Sequence, residues 1–222
     1  PDFKTLLEET DILILRGLPE TLMAPFSELI QKRVESGKMG MLVFPSDKTL
    51  GQLGYSGSKM AELFPVDLIG ENWRGTPGNL VLPVKDTPYG FLKLLDDPVE
   101  NQEFFRTLPR FDGLYVYNRR KAGSEVLLSS TVETNAGAAP ALLFQRVGRG
   151  NVAMFLGGPL WPMGFRLIPS GKGIKPYTAF VLNLLKWLAN RREDAQVTLD
   201  LSSSRAFVGQ PMTVRVWVSD TR

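Results

Sequence analysis

Apolar residues fall into three patterns along this chain, and each predicts a different kind of element. Compact runs come first. Ile12-Leu13-Ile14-Leu15, between Asp11 and Arg16-Gly17-Leu18-Pro19, has no polar alternation and predicts a buried parallel strand ending in a loop. Met39-Gly40-Met41-Leu42-Val43-Phe44 repeats the pattern and predicts a second such strand. Between them, residues 20–36 carry Leu22, Phe26, Leu29, Ile30 and Val34 on one helical face, with Gly37 placed to end the helix. Strand, helix and strand joined by short links make a βαβ unit, which implies a parallel sheet and a right-handed crossover. A short helix over residues 2–9 precedes the unit.

The middle of the chain mixes signals. Residues 45–58 form a loop rich in Gly and Ser, and residues 59–64 a short helix stopped by Pro65. Residues 81–84 read as a strand within an irregular stretch, and 99–107 as a helix ended by Leu108-Pro109. Residues 113–118 and 125–129 are expected to pair around the basic turn Arg119-Arg120-Lys121. Residues 141–146 and 151–156 predict a hairpin through Gly148-Arg149-Gly150. Pro176 opens the last helix, 177–190, whose apolar face is Phe180, Val181, Leu184, Leu185 and Leu188. After Glu193 the third pattern begins. Val197, Leu199 and Leu201, then Val214, Val216 and Val218, alternate with polar residues and predict half-buried antiparallel strands. Two such strands cannot form a sandwich alone. The expected organisation is therefore an α/β domain over residues 1–193, followed over 194–222 by the first strands of a truncated β-sandwich.

Composition narrows the chemistry. The 222 residues are 43% hydrophobic and 22% charged, ordinary values for a globular domain. Lys and Arg number 26 against 23 Asp and Glu, a surplus of +3 that no helix face concentrates, so nucleic acid is not an expected partner. Cys and His are both absent. Without them there is no thiolate, no disulfide, no imidazole base and none of the commonest metal ligands. No metal or other cofactor is expected. No stretch reaches the ~18–20 apolar residues that span a bilayer, and no signal peptide is visible. The chain starts at Pro1 without Met and stops at Arg222 just after a strand-like run, so it reads as a piece of a longer protein.

The run from Asp11 to Pro19, the helix after it, and Val34-Glu-Ser-Gly-Lys-Met-Gly-Met-Leu-Val-Phe-Pro-Ser46 resemble the core of class I glutamine amidotransferases. In that family a strand ends in a glycine-rich oxyanion loop, and a later strand leads into a sharp turn carrying the nucleophilic Cys. Here Phe44, or Pro45 within one residue, occupies the Cys position, and the family's late His-x-Glu pair has no counterpart. The order of the later elements is similar to the glutamine amidotransferase-like module of bacterial membrane-anchored proteins that also carry BatA-type and von Willebrand A regions. It runs Ala141 to Gly150, Asn151 to Gly158, a Leu160-Trp161-Pro162 loop and a helix ending Leu184-Leu-Lys-Trp-Leu188. The resemblance covers nearly the whole chain. It implies a three-layer, flavodoxin-like fold. It also implies a place in the cell envelope, with the membrane anchor outside this segment and this domain on the periplasmic side.

Each candidate site has a plain structural reading beside the chemical one. Phe44 offers no nucleophile, and Ser46 has a hydroxyl but no histidine base, so this turn is expected to be filled and catalytically silent. Ser56-Gly-Ser-Lys59 has Ser-x-x-Lys spacing but lacks the partner motifs of the serine–lysine acyltransferases, and a Ser cap on the next helix explains it. Asp200-Leu-Ser-Ser-Ser204 matches a metal-binding spacing, but a strand follows where a helix is required. Gly51 to Lys59 and Ser170-Gly-Lys-Gly173 are glycine-rich without P-loop spacing. Asp96-Asp97 and Glu193-Asp194 stand at element ends, as solvated carboxylates do. Gly17, Ser46 and Trp161 are the candidates for a pocket at the carboxyl ends of the strands, where open α/β sheets bind ligands; Trp73 and Arg74 are a further pair. The expected function is that of a non-catalytic module contacting other domains of the same protein or other envelope proteins, or sensing a ligand. The alternatives are a Ser/Lys-type hydrolase, or a small-molecule or glycan binder using the former cleft.

Overall fold

The βαβ unit forms as its pattern predicts in the computed structural model, which describes residues 2–46, 50–70, 72–84, 87–158, 160–168, 174–189, 197–201 and 214–218. Helix α1 (Phe3–Glu9) is capped by the Asp2 carboxylate, which accepts from the Thr5 N–H at 2.8 Å, and leads into strand β1 (Ile12–Arg16). Helices α2 (Glu20–Met23) and α3 (Ser27–Glu35) connect β1 to β2 (Gly40–Phe44), which lies parallel to it with Ile12 opposite Gly40. The single helix predicted over 20–36 is broken. Pro25 has no N–H to donate, and a 3₁₀ turn, Ala24–Phe26, stands there instead. The break rotates the apolar face, so Met23, Ile30 and Val34 are buried while Leu22 points outward.

The remaining elements of the first unit are β3 (Asn72–Arg74), β4 (Leu80–Val81), α4 (Pro98–Thr107), β5 (Leu114–Val116), β6 (Glu125–Thr134), β7 (Gly137–Val147), β8 (Gly150–Phe155), α5 (Trp161–Leu167) and α6 (Lys175–Leu188). Six strands form one sheet in the order β1-β2-β8-β7-β6-β4. The β8 strand is parallel to β2, but β7, β6 and β4 extend the sheet antiparallel. The fold is thus mixed α/β rather than built on a wholly parallel sheet. For β6, β7 and β8 the physical reason is the short connections: a tight turn can join only antiparallel neighbours.

The predicted hairpin of 141–146 with 151–156 is present as β7 and β8, with Gln145 opposite Val152. The predicted pairing of 113–118 with 125–129 is not. Instead β5 pairs with β3, placing Trp73 opposite Tyr115, and β6 pairs with β7. The basic triplet is therefore no free turn. Arg119 forms an ion pair with Asp67, Arg120 makes a bridge with Val66, and the Lys121 ammonium donates to the carbonyls of Ala61 (2.6 Å) and Glu62 (3.1 Å).

The core sits on β2 and β8, since every residue of both strands is buried. Helix α6 presents Phe180, Leu184 and Leu188 to it at four-residue spacing. Two glycines set the helix distances. A Cβ at Gly40 would collide with the Leu188 carbonyl, and one at Gly150 with the Val34 carbonyl, so the ends of α6 and α3 lie directly on backbone. Asn151 ties the same end of α6 down by donating to the Trp187 carbonyl at 2.9 Å.

The chain divides into two compact units, Pro1–Asn190 and Arg191–Arg222. In the second, β9 (Val197–Leu201) and β10 (Val214–Val218) pair antiparallel, with Val197 opposite Val218. Among the described residues no helix is long and apolar enough to cross a membrane. Glu193-Asp194, Ser170 to Gly173 and the serines of Asp200-Leu-Ser-Ser-Ser204 lie outside the described residues.

Candidate functional site

Strand β1 ends at Gly17, whose positive φ of 66° turns the chain out of the sheet. A side chain there would stand 3.7 Å from both Cβ and Oγ of Ser46, so two of the residues singled out from the sequence do come together. Phe44, the last residue of β2, and Pro45 after it lead into Ser46, and both are buried. The Phe44 ring is tilted against Phe155 of β8 at 6.0 Å between centroids. The position where a nucleophile would stand is part of the core.

A two-stranded ribbon, β3 and β5, adds to this end of the sheet. Tyr115 of β5 donates its backbone N–H to the Leu156 carbonyl at 2.9 Å, just past the end of β8. Its hydroxyl donates to the Ser46 carbonyl. Its ring meets Trp73 at 4.7 Å, and Trp73 in turn lies over Gly113, where a Cβ would strike both the indole and the Arg74 carbonyl. Tyr115 is 4% exposed and spans the space between the ends of β2 and β8. Its role could not be read from the sequence, because it depends on a pairing between strands some forty residues apart. The only local signal is Gly113, which permits the close approach of Trp73.

Trp161 has a different place. The predicted 160–162 loop is the start of α5, with Pro162 in the first turn, where no backbone donor is needed. Met163, Gly164 and Leu167 face inward, and Gly164 accommodates the Tyr177 ring of α6. Trp161, Phe165 and Ile168, at spacings of four and three, face outward at 58%, 60% and 55% exposure. The Trp161 and Phe165 rings meet edge to face at 5.9 Å. This short helix is apolar on both sides, and among the described residues only one side is covered.

The Ser-x-x-Lys segment forms a structural cap. The Ser58 hydroxyl accepts from the Ala61 N–H at 3.3 Å and starts the 3₁₀ helix Lys59–Leu63. Lys59 turns away to Glu28, with 2.6 Å between Nζ and Oε1. Ser56 and Ser58 do share an open recess of about 240 Å³ with Glu62, Asp67 and Lys121. Burial lowers the Lys121 ammonium pKa against the opposing pull of Asp67 and Glu62. That ammonium is directed at the Ala61 and Glu62 carbonyls rather than at a serine hydroxyl. Asp97 caps α4, accepting from Val99 and Glu100 N–H at 2.8 Å each. Among the described residues no group of acidic side chains is arranged to hold a metal ion.

No protein-family model and no curated sequence matches the chain. Its structure is similar to that of a cytoplasmic protein from Salmonella typhimurium, with a TM-score of 0.58 and 17% identity over 85% of this chain and 75% of that one. It is also similar to a second cytoplasmic protein, from Salmonella typhimurium LT2, with a TM-score of 0.55 and 17% identity over 80% and 71% of the two chains. At this identity the likeness shows a shared α/β fold and nothing of activity.

Proposed function

We propose that the first unit is a non-catalytic glutamine amidotransferase-like module of a larger cell-envelope protein, and that it works by surface contact rather than turnover. Three features support this reading. Helix α6 lies over Gly40 and Asn151, and α3 over Gly150, whose strand position faces the other way; helices on both faces favour a three-layer, flavodoxin-like arrangement. The turn that would carry the nucleophile holds buried Phe44 and Pro45, and no Cys or His exists to take over. The observation that carries the contact itself is the exposed row Trp161, Phe165 and Ile168, because three large apolar side chains in line on one helix face mark an interaction surface.

Site-specific photo-crosslinking in cells tests this. A photoreactive residue at position 161 of the full protein should give a discrete adduct that one at exposed Glu9 does not. Equal adducts at both positions, or none at either, would sink the reading.

A second reading, a hydrolase using Ser56 with Lys121, has the shared recess in its favour. Labelling by a fluorophosphonate probe, abolished by both Ser56→Ala and Lys121→Met, would establish it; the silent-module reading expects no labelling.

A further inference from the structure

We infer that strand β1 pairs antiparallel with β1 of a second copy of this chain, joining two six-stranded sheets across a two-fold axis at Ile14. The strand ends the sheet, and among the described residues no strand lies on its other side. Its backbone shows which groups are left over. The Gly40 N–H donates to the Asp11 carbonyl at 2.8 Å, and Ile12 lies opposite Gly40 in the parallel register. Alternation along the ladder then turns the N–H and C=O of Leu13 and Leu15 toward β2, and those of Ile12, Ile14 and Arg16 toward the open edge. Ile14 is 52% exposed. It shares a sheet face with Gly40, on which the end of α6 lies, yet stays uncovered. Proteins usually blunt such an edge with Pro, Lys or a bulge, and Ile12-Leu13-Ile14-Leu15 has none of these.

Symmetry, charge and the far edge of the sheet select a second copy as the occupant. The outward groups are symmetric about Ile14. In an antiparallel pair the two Ile14 residues face each other and Ile12 of each copy faces Arg16 of the other, so every outward N–H and C=O is matched. Direct opposition also puts both Ile14 side chains together on one face and takes their exposed surface out of water. Charge favours the same arrangement. Asp11 and Arg16 bracket the strand, so an antiparallel pair has one acid and one base at each end, whereas a parallel pair stacks like on like. The far edge of the sheet is β4, two residues long and too short to template a further strand. The contact therefore closes as a dimer rather than propagating as a fibre. It uses neither α5 nor the turn at Ser46, so it stands or falls apart from the reading of those segments.

Analytical sedimentation of the full chain tests the inference. The chain should be a dimer at about 100 µM and a monomer at about 1 µM, as suits a contact of one short strand a side. Ile14→Lys sets two ammonium groups together on the axis and should weaken the dimer about tenfold, while melting as the wild type does at the lower concentration. The chain has no Cys, so Ile14→Cys supplies a lone thiol. Opposed Cα atoms in such a pair stand about 5.5 Å apart, within disulfide reach. Mild oxidation should therefore link Ile14→Cys into a covalent dimer and leave Leu22→Cys, at a similarly exposed position, monomeric. This arm decides the matter if Ile14→Lys fails to fold. A chain that stays monomeric at the higher concentration, a dimer that survives Ile14→Lys, or oxidation that links both cysteine variants alike overturns the inference. A dimer lost in Trp161→Ser but kept in Ile14→Lys overturns it too, and assigns the self-contact to α5.

Discussion

Two neighbouring parallel strands, β2 and β8, end side by side, and the segments that follow them use apolar residues in opposite ways. At the end of β2, Phe44 and Pro45 are buried, and the Ser46 carbonyl is tied by the Tyr115 hydroxyl. After β8, the chain passes Gly157 and Gly158 and enters α5, which turns Trp161, Phe165 and Ile168 outward. The first segment stands at the carboxyl ends of the parallel strands, where open α/β sheets bind ligands, and here it is core. The second stands beside it and is open. Apolar side chains stabilise when buried, so the exposed row forgoes burial energy that the buried turn gains.

Substitutions can break or sharpen this contrast, and the largest effects belong to the buried side. Phe44→Ala should destabilise the fold by about 3 kcal/mol, because it empties a ring's volume beside Phe155. Urea denaturation measures this, and a loss well under 1 kcal/mol would mean the turn is not core. Gly113→Ala should cost about 2 kcal/mol, since its Cβ meets the Trp73 indole and the Arg74 carbonyl and must push the ribbon off the strand ends. Tryptophan emission should shift with it. Tyr115→Phe removes only the hydroxyl that reaches the Ser46 carbonyl and should cost about 1 kcal/mol.

Tyr55, also buried, should behave in the opposite sense. It is buried against Phe64, and its hydroxyl has no hydrogen-bond partner among the described residues. Tyr55→Phe should be neutral or stabilising by up to about 1 kcal/mol. Burial, with a smaller push from Glu20, raises its phenol from 10.0 to about 12. Below pH 10 the group is neutral in both states. As pH climbs from 10 toward 12, the unfolded chain ionises while the native phenol cannot, so stability is lost across that window. The Phe variant should lose less stability there, which a series of alkaline melts would reveal. The smallest expected effect is on the open side. Trp161→Ala should change stability by no more than about 0.5 kcal/mol, because the ring is mostly in solvent. A larger loss would show that the ridge is structural and would blunt the contrast.

Local pattern alone sufficed for β1 with β2, for the hairpin of β7 and β8, for the buried face of α6 and for the alternating strands β9 and β10. In each case the residues that determine the element are consecutive, or the connecting turn is short, so periodicity and turn chemistry act without outside help. The missing Cys and His likewise exclude thiolate and imidazole chemistry by composition alone. Nearness of Gly17 to Ser46 followed from the parallel register of their strands.

Other features depended on distant partners. Residues 113–118 and 125–129 look like a hairpin by composition, yet β5 found its edge in β3 and β6 found the longer β7. Residues 20–36 have one apolar face by periodicity, but Pro25 divides them and the sheet decides which half-turn is covered. Helix α5 is apolar on two faces, and its sequence cannot say which will be buried; Tyr177 settles that by packing on Gly164 and leaving Trp161 outside. The sequence by itself determined the parallel pair of β1 and β2, the hairpin of β7 and β8 and the lack of thiolate and imidazole groups, because short-range periodicity and residue chemistry decide those. Only the tertiary structure decided that Tyr115 ties down the Ser46 turn and that α5 shows its aromatic row to the outside. Both outcomes depend on long-range pairing and packing, which no local run of residues encodes.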